Sequence, residues 1–142
     1  MIKVFRTDNG GFACKANIKV SAGGASLWGT KLSQIKESDK ILICTYSLPH
    51  IEYAEKIFMK NNGNAEIVCH EKFKGKADAL MAKFPNLKIR LRNDVHAKFV
   101  VINDTVWCGS ENFGKSTWIE SCIGIKSKEV AEYFTTAFYL IF

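Results

Sequence analysis

The chain reads as a single α/β domain built on a mixed, partly parallel sheet flanked by helices. Two patterns lead there. Short apolar runs of buried-strand length alternate with segments whose apolar residues recur at helical spacing, the order that layered α/β folds require. Its 142 residues suffice for one hydrophobic core, and no repeat, low-complexity tract or linker divides them, so the expected domain is 1–142.

Residues 2–5 and 12–20 alternate as a pair of strands, with Asn9-Gly10-Gly11 as the turn between them. The small residues 21–26, SAGGAS, read as a connector. Leu27, Trp28, Leu32 and Ile35 suggest an amphipathic helix over 27–37, interrupted early by Gly29. Lys40 to Tyr46 is a continuous run suited to a buried strand. Pro49 then fits the first turn of a helix carried by Ile51, Ala54 and Phe58 and stopped at Asn61-Asn62-Gly63.

Ala65 to Cys69 is a further strand. Ala77, Leu80, Met81 and Phe84 mark a helix closed by Pro85. Leu87 to Leu91 and Ala97 to Ile102 are strands; Val106 to Cys108 pairs back on the latter around an Asn103-Asp104 turn. Ile119 to Ile125 gives another strand and Val130 to Phe142 a final helix.

Twenty Lys+Arg against 14 Asp+Glu give a formal charge of +6. That balance favours polyanionic partners, nucleic acid or an anionic surface. No apolar run reaches the length of a membrane span, and the N-terminus lacks the apolar stretch of a signal peptide. The five cysteines include no C-x-x-C pair and sit mostly in apolar runs. Reduced, buried thiols in a cytoplasmic protein are therefore expected, with no stable membrane association.

Reactive side chains concentrate in His96–Asn112, HAKFVVINDTVWCGSEN. In extended chain His96 and Lys98 share a face, and a hairpin through Asn103-Asp104 would bring Ser110 and Asn112 beside them. An imidazole, a fixed positive charge and two small hydrogen-bonding groups make a phosphate site. Lys88, Arg90 and Arg92 alternate on one strand face leading towards it and could track phosphates; Gly109 and Lys115 flank it as further binding candidates. His50 and His70 lack partners at metal-ligand spacing, so no metal or other cofactor is expected. Cys108 reads as a core thiol between Val106 and Trp107.

The combination His96-x-Lys98, an apolar run, a polar turn and Gly109-Ser110-x-Asn112 resembles the HKD signature of the phospholipase D superfamily. ILICTYSL at 41–48 resembles the family's early core strand, so the likeness runs from about residue 35 to the end. With one copy of the motif, the chain is similar to the superfamily's single-motif nucleases. Two departures stand out. Position 103, where the family carries aspartate, is Asn103, and the spacing from His96 to Gly109 is one residue short.

The resemblance implies a metal-independent phosphodiesterase cleaving DNA or RNA through a phosphohistidine at His96. Lys98, Ser110 and Asn112 would stabilise the phosphoryl oxygens, and Glu120 would orient the histidine. It further implies a homodimer in which each copy supplies one histidine. The alternatives are a nucleic-acid-binding module of the same fold without turnover and, third, a phospholipid hydrolase.

Overall fold

The structure is a computed structural model and describes residues 10–23, 32, 35–37 and 39–142. A seven-stranded sheet runs β1 (Asn17–Gly23), β7 (Glu120–Lys126), β6 (Thr105–Gly109), β5 (Phe99–Ile102), β2 (Ile41–Cys44), β3 (Ala65–His70) and β4 (Lys88–Arg92) across its width. β2, β3 and β4 are mutually parallel, and the remaining pairs are antiparallel. The fold class read from the sequence is the one observed.

Parallel strands need crossovers, and two helices supply them. α1 (Ile51–Phe58) joins β2 to β3; a 3-10 turn at Glu71–Phe73 and α2 (Lys74–Lys83) join β3 to β4. Both cover one face, where Ala54, Phe58, Ala77 and Leu80 pack on Ile41, Ile43, Ile67 and Val100. α3 (Lys128–Ile141) covers the other, setting Val130, Ala131 and Phe138 against Leu42, Cys44, Val68 and Val106. With helices on both faces, β2 is buried along its whole length, which is why its sequence runs apolar without alternating.

Local chemistry sets the element ends. The α1 helix closes at Phe58, a turn earlier than its stop signal. Asn62 (φ 56°) and Gly63 (φ 69°) then take left-handed conformations, and the Gly63 N–H donates to the Phe58 carbonyl at 2.8 Å. A Cβ on Gly63 would meet Phe84 Cβ at 2.6 Å. Ser127 caps α3, its hydroxyl accepting the Val130 N–H at 3.3 Å. Asn103 turns the β5–β6 hairpin with φ 53° and donates its side-chain amide to Asp39 Oδ1 at 3.2 Å.

Three expectations change. Residues 21–23 are not connector but the end of β1, pairing with Glu120–Cys122 of β7; small side chains suit an edge strand exposed on both faces. The strand placed at 12–20 begins only at Asn17. Cys14 is exposed and Cys108 only partly buried, so burial of the thiols holds for Cys44, Cys69 and Cys122. The strand at 2–5 and most of the helix at 27–37 lie outside the described residues, although Leu32 and Ile35 are buried. No helix of the described residues is long and apolar enough to cross a membrane.

Candidate active site

The catalytic candidates expected from the sequence, His96, Lys98, Ser110, Asn112 and Glu120, stand at or near one edge of the sheet. β2, β3 and β4 end there, β5 and β7 begin there, and β6 delivers Gly109 and Ser110. In open α/β sheets this carboxyl edge is where ligands bind, because the loops diverge there and leave a crevice.

Asn112 is built in from below. Its side-chain oxygen accepts the Tyr46 N–H at 3.0 Å and the Thr45 hydroxyl at 3.3 Å, while Thr45 Oγ1 accepts the Phe113 N–H at 3.0 Å. Thr45 is fully buried. Asn112 thus clasps the loop after β6 to the end of β2.

Ser110 sits where β6 leaves β7. Its hydroxyl accepts the Ser121 N–H at 3.0 Å and donates to Glu120, whose other carboxylate oxygen accepts the Ser116 hydroxyl at 3.1 Å. Gly109 is required at the step before. A Cβ there would stand 2.1 Å from the Ser121 carbonyl oxygen.

His96 and Lys98 lie in extended chain just ahead of β5. The His96 ring is exposed and lies 6.3 Å from the Tyr46 ring centroid. Lys98 Nζ turns back to donate to the His96 carbonyl at 2.9 Å. Its charge also acts on the Cys44 thiol, but burial dominates and pushes that thiol up to about 11. Burial likewise drives Cys69 up to about 12, so neither thiol is a nucleophile. Cys108 lies opposite Phe99 and packs toward the α3 core.

The sequence-derived set therefore separates into two groups. Ser110 and Glu120 are in direct contact, and His96 and Lys98 share a short segment facing Tyr46. Among the described residues Glu120 is held by serine hydroxyls, and no hydrogen bond joins it to His96. Lys88, Arg90 and Arg92 do share one face of β4, but it is the face on which α3 ends. Arg90 lies over the Phe142 ring at 5.2 Å. Arg92 grips Asp94 with two bonds of 2.7 and 2.8 Å and reaches the Ile141 carbonyl at 3.2 Å. Those two cations anchor a helix. Lys115 is exposed with its ammonium 6.0 Å from the Tyr53 ring centroid. The described residues contain no cluster of three or more side chains able to hold a metal ion.

Sequence reading weighed His70 only as a metal ligand and gave no role to Thr45 or Tyr46. The Tyr46 ring stands 4.8 Å from that of His70 as well as beside His96. His70 Nδ1 accepts the Lys72 N–H at 3.1 Å, which leaves the ring proton on Nε2 in the neutral form. The available signal was position: His70 ends β3, and Thr45 and Tyr46 directly follow β2. Also missed was a cleft of about 950 Å³ beside Ser110 and Asn112, walled by α1 and the loop after β6.

Comparison with known proteins places the fold. No family model matches the chain, and no curated protein matches its sequence. Solved structures do. Nuc from Salmonella typhimurium, a phospholipase D family member, superposes with a TM-score of 0.59 at 23% identity, over 87% of this chain and 93% of its own. NucT from Helicobacter pylori gives 0.59 at 18% identity, over 87% and 94%. TrmBL2, an archaeal chromatin protein whose structure shows a novel mode of DNA binding, gives 0.62 at 16% identity over 87% of this chain. The chain spans about half of TrmBL2, 51% of its length.

Proposed function

We propose that this phospholipase D/nuclease-like domain is a metal-independent phosphodiesterase that cleaves nucleic acid. The observation that carries the reading is the convergence of His96, Lys98, Ser110 and Asn112 on the carboxyl edge of the sheet, in a fold shared with Nuc. The basic composition supports a polyanionic substrate.

In the proposed reaction a neutral His96 nitrogen attacks phosphorus, and the bond to the leaving oxygen breaks as that oxygen takes a proton from a second imidazole. Water, giving a proton to the now neutral second imidazole, then attacks the phosphohistidine, and the N–P bond breaks to return both imidazoles to their starting states and release the phosphomonoester. The Lys98 ammonium and the Ser110 hydroxyl stabilise charge on the non-bridging oxygens. For Lys98 this means leaving the His96 carbonyl for the substrate. His96 of a second copy supplies the other imidazole, which makes the working unit a two-fold dimer.

One observation favours a second reading, a nucleic-acid-binding module without turnover: Glu120 is engaged by Ser110 and Ser116. Plasmid DNA, RNA and phospholipid vesicles incubated with the protein, with and without EDTA, separate the readings. Cleavage of a nucleic acid that persists in EDTA and vanishes in His96→Ala is the expected result. Binding without cleavage identifies the module, and release of lipid headgroup alone identifies a phospholipid hydrolase.

A further inference from the structure

We propose that the cleft beside Ser110 and Asn112 is the path of a single nucleic-acid strand, its phosphates held by Lys56, Lys60, Lys76 and Lys115. The proposal deepens the reading above by naming the substrate form and the binding wall. It also moves phosphate tracking from β4, where two of the three cations hold α3, to the opposite side of the sheet.

Four lysines line this cleft against three glutamates. Glu111 is buried and Glu120 is held by two serines, so Glu52 is the exposed carboxylate of the lining. Lys56, Lys60 and Lys115 are exposed, and none is in a salt bridge among the described residues. Lys76 ties the cleft to the aromatic cluster at the strand ends. Its ammonium donates to the Leu48 carbonyl at 3.3 Å and stands 5.9 Å from the centroid of Phe73, which itself packs on Tyr46.

Lysines spaced along an apolar wall fit a single strand better than a duplex. Leu48, Ile57 and Phe113 back the same space as buried core residues, and the half-buried Tyr53 ring is the apolar surface it offers. Unpaired bases have apolar faces to bury there, whereas a duplex keeps its faces stacked inside and offers phosphates and groove edges. A volume of about 950 Å³ accepts a few nucleotides in file and cannot enclose a double helix. Ser110, Asn112 and Glu120 are part of this lining and His96 and Lys98 are not, so a strand lying in it meets the serine–glutamate side of the candidate site.

The test is binding, read without turnover. Anisotropy of a fluorescein-labelled oligothymidylate is titrated with the protein from about 50 to 200 mM salt, alongside a duplex of equal length. Each lysine–phosphate contact to a single strand contributes roughly 0.7 to the slope of log affinity against log salt. Lys56→Ala/Lys60→Ala is expected to lower that slope by about 1.4, while Lys128→Ala, at the far edge of the sheet, leaves it unchanged. An equal slope in the double variant and Lys128→Ala overturns the proposal, as does duplex binding as tight as single-strand binding. A protein that binds as expected but cuts nothing defeats the catalytic reading and leaves this one standing.

Discussion

The Asn112 side-chain oxygen accepts the Tyr46 backbone N–H at 3.0 Å across 66 residues of sequence, and the same oxygen takes the Thr45 hydroxyl. This clasp joins the parallel half of the sheet to the loop that carries the site. Asn112→Ala removes the acceptor and leaves a half-buried N–H unpaired, so a loss of about 1–3 kcal/mol is expected in urea unfolding. Asn112→Asp keeps an acceptor and should lose less. Equal losses in the two would mean that the clasp is not what Asn112 contributes.

Under the proposed chemistry, His96→Ala abolishes cleavage while its melting temperature stays near that of the parent, because the ring is exposed. Lys98→Ala should lower kcat by about 100- to 1,000-fold, the usual cost of losing one group that stabilises transition-state charge. Retention of full kcat in Lys98→Ala would remove it from the mechanism.

Glu120 separates two roles by comparison of variants. If it acts by holding the serines, Glu120→Ala loses no more than Ser110→Ala/Ser116→Ala, which also removes the Ser110 hydroxyl itself, and combining them adds nothing. If it orients His96 in the working dimer, Glu120→Ala loses more than the double serine variant. Steady-state rates on one nucleic-acid substrate decide between them.

The Asp39 carboxyl is held below the usual carboxylate range, first by the Lys36 backbone N–H and then by the Asn103 amide. A depressed carboxyl contributes stability that is present above its unfolded value, about 4, and fades as pH falls through the folded one. Asn103→Asp replaces the amide with a like charge. It should cost up to about 1 kcal/mol near neutrality at low salt, with the gap closing as pH drops and both groups protonate. A gap that persists unchanged in acid would point to the turn's backbone instead.

Gly109→Ala should destabilise by about 3 kcal/mol, because its Cβ would press on the Ser121 carbonyl oxygen, a backbone atom that cannot swing aside. The same strain displaces Ser110, so activity should fall further than stability accounts for. A variant as stable as the parent would show that β6 and β7 can separate cheaply here.

The sequence by itself determined the alternation of strands and helices from Ile41 onward and the hairpin at Asn103, and so the arrival of His96, Lys98, Ser110 and Asn112 at one edge of the sheet. Each depends on near neighbours in the chain: burial on both faces writes a continuous apolar run, and the hairpin fixes register through its turn. It left β1 unclear because an edge strand exposed on both faces carries no burial pattern, and only its ladder with β7 defines it. Partners distant in sequence were also decided only in three dimensions. Arg90 and Arg92 alternate as a phosphate-tracking strand would, yet their contacts go to the end of α3. Glu120 stands where a histidine partner was expected and is held by Ser110 and Ser116. The cleft lysines come from α1 and the turn after it, from α2 and from the loop after β6, segments whose spacing in sequence says nothing of the wall they share. Charge and hydrogen-bond partners are settled by which elements the sheet order brings side by side, a property of the packed fold rather than of any local stretch.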